Sequence, residues 1–145
     1  GPQEPALREK LRELSLGNRV RLLGHQSPIE PWFHASDMFV MPSYAEGIPQ
    51  ALMQAMACGL PSIVTAIPSL LETVTPDEDA LMLDTPGDVA ALKGLMERLL
   101  DQPRLRARLG SAAHRNAERF SQTHMLVAME KVFARATATR KKTYR

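Results

Sequence analysis

The sequence predicts an α/β protein in which a parallel sheet is flanked by helices. Three observations carry that prediction. Short apolar runs, "RVRLLG", "MFVMP", "PSIVT" and "ALMLD", alternate along the chain with segments of helical periodicity. The run from Met38 is apolar on both sides of the strand alternation, as expected of a strand covered on both faces. The runs are separated by helix-length segments instead of tight turns, and parallel neighbours need such a crossover.

The elements follow in order. Leu7, Leu11 and Leu14 recur at helical spacing between Pro5 and Leu14, and Gly17 or Asn18 stops that helix. "RVRLLG" then reads as a short strand ending at Gly24. "SPIEPWFHASD" reads as a short helix with Ser27 as its cap and Pro28 at its first position. After the strand "MFVMP", "PQALMQAMACG" is a helix with Pro49 early and Gly59 just past its end. "PSIVT" is a strand, "LLETV" a helical turn and "ALMLD" a further strand. Three helices close the chain, over "DVAALKGLMERLL", "QPRLRARLGSAAHRNAERF" and "SQTHMLVAMEKVFARA", punctuated by Asp101 to Pro103 and by Ser121. Four strands are therefore expected. A doubly wound sheet of that size whose first element is a helix points to a fragment of a larger unit.

Composition sets the class. A chain of 145 residues fits one domain with a real core, so residues 1–145 read as a single domain. With 44% apolar and 23% charged residues it has the balance of a globular chain, not of a disordered one. A formal net charge of +2 is too small to argue for nucleic acid. Arg135, Arg140, Lys141, Lys142 and Arg145 make the C-terminus locally basic, and residues 136–145 are expected to fray as a solvated tail, with acidic lipid as the other candidate contact. The single Cys58 excludes an internal disulfide framework and favours a reducing, cytoplasmic setting. No apolar stretch approaches the roughly 18 residues of a membrane span, and no signal peptide is visible.

The densest segment is "MPSYAEGIPQALMQAMACGLPSIVT", Met41 to Thr65, which places Glu46 where a strand hands over to a helix. In open α/β sheets ligands sit outside the carboxyl ends of the strands. Gly47 lets backbone approach a ligand there, and the free amides of the helix that follows favour an anion. A carboxylate beside them would repel phosphate but accept hydrogen bonds from hydroxyls. Together they suit a ligand with a phosphate and a polyol, namely a sugar nucleotide. The competing reading is that Glu46 caps its own helix or complements the helix dipole.

Pro42, Ser43, Glu46, Gly47, Pro49, Ala55, Met56, Ala57, Gly59 and Pro61 are similar to the core motif of the retaining GT-B glycosyltransferases of family 4, and "ALREKLRELSLGNRVRLLGHQ", "FHASDMFVMPS" and "DALMLDTPGDVAAL" resemble its flanks. The resemblance covers almost the whole chain. It implies a Rossmann-like C-terminal, donor-binding domain lacking its first strands, and transfer of a sugar from a nucleotide-sugar to a glycan or lipid-linked acceptor. Glu46 then holds hydroxyls of the transferred sugar as the catalytic-site carboxylate, with Ser43 beside it. Amides around Gly47, Ile48 and Pro49 face the diphosphate, and His25 and Gln26 lie where the base is received. Gln54 stands where the family has a second Glu that grips the ribose; an amide offers one acceptor oxygen there instead of two. Pro68 and Ser69 replace a Gly-Gly pair ahead of Glu72, which removes an amide and stiffens the loop. Glu72 is either a donor contact or a carboxylate early in a short helix.

The resemblance also implies that the cations neutralising the diphosphate, and the acceptor-binding domain, are not in this span, so the chain alone is not expected to catalyse transfer. Exposed sheet edge is expected to make it self-associate. A second class stays open, a decayed domain that binds or scaffolds without turnover. Neither cofactor nor metal is expected, since His25, His34, His114 and His124 lack ligand spacing. Cys58 reads as a small buried hydrophobe; Met53, Met56, Met82, Met96, Met125 and Met129 read as core, and Trp32 with Phe33 as anchors of their helix. Arg104, Arg106, Arg108, Arg115 and Arg119 read as a solvated face, with peripheral attachment at the inner face of the membrane as the alternative.

Overall fold

β2 (Ser62–Thr65) is buried along its whole length because it has a strand on each side, β1 (Phe39–Met41) and β3 (Ala80–Leu83). Both pairings are parallel, with Val40 opposite Ile63 and Ile63 opposite Leu81. The computed structural model describes residues 1–143, with side chains through residue 137. Around the sheet lie α1 (Glu4–Glu13), α2 (Glu30–His34), α3 (Gln50–Ala57), α4 (Pro68–Leu71), α5 (Val89–Asp101), α6 (Pro103–Ala117) and α7 (Gln122–Thr143), with a 3-10 turn at Glu118–Phe120. The end of the expected basic tail, residues 144–145, lies outside the described residues; the helix α7 runs to Thr143.

Strand alternation divides the core in two. Val64 and Ala80 pack with Leu52 and Met56 of α3, Leu70 of α4 and Ala113 of α6. Ile63 and Leu81 pack on the opposite face with Leu99 of α5 and with Leu105 and Leu109 of α6. Each such fully buried aliphatic side chain is worth about 1.5–3 kcal/mol relative to exposure. Thr65 is a local cost, since its buried hydroxyl has no hydrogen-bond partner among the described residues.

α6 therefore serves both faces, and it does so by crossing the end of α3 at close range. Gly59 ends α3 with φ +72°, the left-handed conformation expected of a glycine just past a helix. A Cβ placed on Gly110 would lie 2.2 Å from the Gly59 carbonyl oxygen, so only glycine fits at this crossing. One turn on, His114 Nδ1–H donates to the Ala57 carbonyl at 2.7 Å, satisfying an orphan acceptor of the last turn of α3. The start of α5 is capped by Asp88, whose Oδ1 accepts from the Ala91 amide at 2.9 Å.

Several expectations are corrected. The sheet has three strands, not four, because residues 20–24 run without a strand partner among the described residues. An extended run becomes a strand only when a neighbour takes its backbone groups, and here Val20 and Leu23 are exposed. α2 starts at Glu30, not at Pro28, with Ile29 at its cap position and no side-chain cap. Burial sets that start: Ile29 and Phe33 pack with Ala55 and Leu60, and Phe33 meets Phe39 edge-on at 5.7 Å. Trp32 is exposed, so Phe33 alone anchors the helix. Met56 is core, whereas Met96, Met125 and Met129 are exposed. The last two belong to an apolar stripe on α7, Met125, Ala128, Met129, Val132 and Phe133.

Replacing Gly110 by Ala is expected to lower unfolding stability by about 1–3 kcal/mol, the usual cost of forcing extra volume into a packed contact. Urea unfolding followed by circular dichroism measures it. An unchanged midpoint would show that α6 can shift off Gly59 without loss.

Candidate functional site

Parallel pairing puts the C-terminal ends of all three strands, Met41, Thr65 and Leu83, on one edge of the sheet. The segments leaving them, residues 42–49, 66–67 and 84–88, form the rim of a candidate donor site. Glu46 is half-buried in the first of these. The Ser43 hydroxyl donates to its Oε1 at 2.6 Å and so orients the carboxylate, leaving Oε2 and the second lone pair of Oε1 to accept from hydroxyls. Glu46 does not cap α3: the cap position is Pro49, with no side-chain cap bond.

That uncapped start is chemically open. Gln50 N–H donates to the Ile48 carbonyl at 2.8 Å, and Met53 N–H to Pro49 at 3.0 Å. The amides of Ala51 and Leu52 have no acceptor among the described residues, so they are the orphan donors of the first turn. Gly47 is exposed and a Cβ there would meet nothing within 4 Å, leaving the backbone approachable. Ile48 is exposed and Pro49 buried, so proline anchors the loop while its neighbours face outward. An oriented carboxylate and two free amides thus stand within one loop and one helical turn.

The remaining sequence-predicted residues are distributed differently. Gln54 is exposed one turn beyond Gln50 and lines an open groove of about 520 Å³ with Met53, His114, Glu118 and Phe120. Gln26 is tied back to its own segment, its Nε2 donating to the Leu23 carbonyl at 2.7 Å, and His25 is exposed; among the described residues no hydrogen bond joins either to residues 42–49. Ser69 is half-buried in α4, where its carbonyl accepts from Thr73 Oγ1 at 2.8 Å. Glu72 occupies the C-cap of α4, not its start, so the helix-dipole reading of this carboxylate fails. Its side chain is exposed and its backbone carbonyl accepts from Arg119.

Other residues on the rim carried no sequence signal. Tyr44, 75% exposed, reaches across to the third loop, where a Cβ on Gly87 would come within 2.4 Å of its hydroxyl. Away from the rim, at the start of β3, Asp79 and Asn116, far apart in sequence, meet at 2.6 Å. Among the described residues no group of three His, Cys, Asp or Glu side chains could hold a metal, and no helix is long and apolar enough to cross a membrane.

A parallel sheet flanked by helices, with an acidic loop beside a helix start at the carboxyl ends of its strands, is the arrangement of the Rossmann-like C-terminal domain of GT-B glycosyltransferases. The chain belongs to the family described as glycosyl transferases group 1, whose sequence profile matches residues 1–116. It is 32% identical over 141 residues to the lipopolysaccharide core biosynthesis glycosyltransferase LpsD of Rhizobium meliloti strain 1021, covering 97% of this chain and 41% of that one. It is 28% identical over 120 residues to the mannosyltransferase LpsB of the same organism, covering 81% of this chain and 34% of that one. Among solved structures, sucrose-phosphate synthase from Thermosynechococcus elongatus superposes with a TM-score of 0.86 at 27% identity, over 96% of this chain and 35% of that one. HepE from Anabaena in complex with UDP has the same fold, with a TM-score of 0.80 at 24% identity over 93% of this chain and 36% of that one. The chain thus spans well under half the length of these relatives.

Cys58 is not part of the site chemistry. Burial, and secondarily the carboxylate of Glu30, push its thiol pKa up, so less thiolate is present at neutral pH than for an ordinary cysteine. Maleimide labelling at pH 7 is expected to be slower on the folded chain than after urea unfolding; equal rates would refute the assignment.

Proposed function

We propose that this chain is the donor-binding part of a retaining glycosyltransferase of family 4 that moves a hexosyl group from a nucleotide-sugar to a glycan or lipid-linked acceptor in polysaccharide or lipopolysaccharide biosynthesis. The observation that carries the reading is the pairing of Glu46, oriented by Ser43, with unbonded amides at the start of α3. Sugar hydroxyls are donors that a carboxylate accepts, and a diphosphate is an acceptor that amides serve. The names of LpsD and LpsB and the UDP complex of HepE support the same chemistry.

In this reading Glu46 touches the transferred sugar and Ser43 sets its orientation. The amides around Gly47 and Ile48 and beside Pro49, which has no N–H of its own, face the diphosphate, Gln54 takes a ribose hydroxyl, His25 and Gln26 border the base, and Ser69 and Glu72 close the far side. The amides share the negative charge that builds on the leaving diphosphate, and further cations come from outside this span. No metal or cofactor is assigned a role. The acceptor-binding domain is a partner, and the enzyme is placed in the cytoplasm, with peripheral contact at the inner membrane face. This span by itself binds donor without turnover.

One observation favours a second reading, a domain that binds or scaffolds without catalysis: Pro68 sits in the first turn of α4, where it removes an amide from the rim. Titration calorimetry of the full enzyme with UDP-, GDP- and ADP-sugars separates the two. Tight binding of one donor followed by transfer supports the enzyme, binding without transfer supports the scaffold, and no binding overturns both. Glu46→Gln is expected to weaken donor binding by about tenfold to a hundredfold, the worth of hydrogen bonds to a charged group, with an unchanged thermal midpoint.

The open side of β1, which pairs only with β2 among the described residues, and the apolar stripe on α7 are surfaces that suit the missing domain. Sedimentation velocity of this chain alone is expected to show a sedimentation coefficient that rises with concentration. A strict monomer throughout would count against it.

A further inference from the structure

We propose that the last turn of α6 and the 3-10 turn that follows it form a clamp that positions the α4 segment of the donor site, with Asn116 and Arg119 as positioning residues for Ser69 and Glu72. The inference rests on the donor reading above. α4 has only four residues, too few to hold its own geometry, and the carbonyls of Glu72 and Thr73 that follow it need partners. α6 and the 3-10 turn after it supply them. Arg119 Nη2 donates to the carbonyls of Glu72 and of Thr73, the latter at 3.2 Å, and Asn116 Nδ2 donates to the Thr73 carbonyl at 3.1 Å.

The same Asn116 amide donates to Asp79 Oδ2 at 2.6 Å, while Asp79 Oδ1 accepts from the Thr75 amide at 2.8 Å. Both partners of Asn116 Nδ2 are pure acceptors, which fixes the orientation of its amide group. Asp79 is 3% exposed, so its charge is held by these donors and not by water. From Thr73, which is 5% exposed, the tie runs back through Thr73 Oγ1 to the Ser69 carbonyl at 2.8 Å. The guanidinium of Arg119 in turn lies over the Phe120 ring, 4.6 Å from its centroid, which limits its own motion. Ser69 and Glu72 are therefore placed by a continuous chain of hydrogen bonds that begins on a rigid 15-residue helix.

Three variants of the full enzyme test this: Arg119→Ala, Asn116→Ala and the rescue Arg119→Lys. Amide exchange at residues 69–79, donor affinity and thermal midpoint are read on each. Arg119→Ala is expected to speed exchange in that segment about tenfold, as loss of a local tie does, and to weaken donor binding about fivefold. Arg119→Lys should restore most of both. Arg119 is exposed, so its variants carry the test if Asn116→Ala, which strands a buried carboxylate, fails to fold. Faster exchange with donor affinity within about twofold of wild type would make the clamp purely structural and overturn the proposal. Unchanged exchange would overturn it too. If the unmodified enzyme binds no nucleotide-sugar, the donor reading falls and the positioning role with it, while the exchange data still report whether the clamp holds the segment.

Discussion

Parallel pairing of three short strands is the constraint from which the molecule follows. Neighbours that run the same way cannot be joined by a turn, so β1 reaches β2 through α3, and β2 reaches β3 through α4 and residues 72–79. The crossovers cover the sheet, and they also force every strand-to-helix junction onto one edge. Glu46, the start of α3, the start of α4 and the Tyr44–Gly87 contact are neighbours on that edge because the strands are parallel. An antiparallel sheet built from the same segments would scatter them.

Packing then makes the edge rigid. α3 carries the free amides and follows directly on the loop with the oriented carboxylate, and it is held by Leu52 and Met56 in the core. Its far end is locked by α6, through the Gly59–Gly110 approach and the His114–Ala57 bond. α6 and the 3-10 turn after it also hold the segment that follows α4. One helix thus ties the far end of α3 to the segment after α4. At Gly110 a methyl group would push α6 away from the end of α3, because its Cβ would lie 2.2 Å from the Gly59 carbonyl oxygen.

In the proposed donor site the rim would have to serve two groups whose demands conflict in isolation. A carboxylate and a phosphate repel each other, so a site for both must give each its own donors. Ser43 holds Glu46 through its Oε1, and the uncapped turn of α3 offers its amides. The absence of a side-chain cap on α3 costs about 1 kcal/mol of helix stability. It leaves amides free for an anion, which a Ser or Asp at position 49 would have consumed.

Much of this was legible in the residues. The alternation of apolar runs with helical periods determined the α/β class and the positions of β1, β2 and β3, because burial on both faces leaves a continuous apolar signature. The loop carrying Glu46 and Gly47 and the helix stop at Gly59 were legible too, since each rests on local backbone geometry. Local sequence misled where a partner decides the outcome. "RVRLLG" has strand composition but no neighbour, Ser27 and Pro28 lost the helix start to the burial of Ile29 and Phe33, and Glu72 fell at the end of α4 instead of its beginning. The Asp79–Asn116–Arg119 clamp left no trace in the sequence at all. Asn116 lies 37 residues from Asp79 and Arg119 lies 46 from Thr73, and hydrogen bonds between such distant segments obey no period. Sequence alone determined what each segment prefers; only the tertiary structure decided which segments meet, because that is settled by which surfaces bury one another.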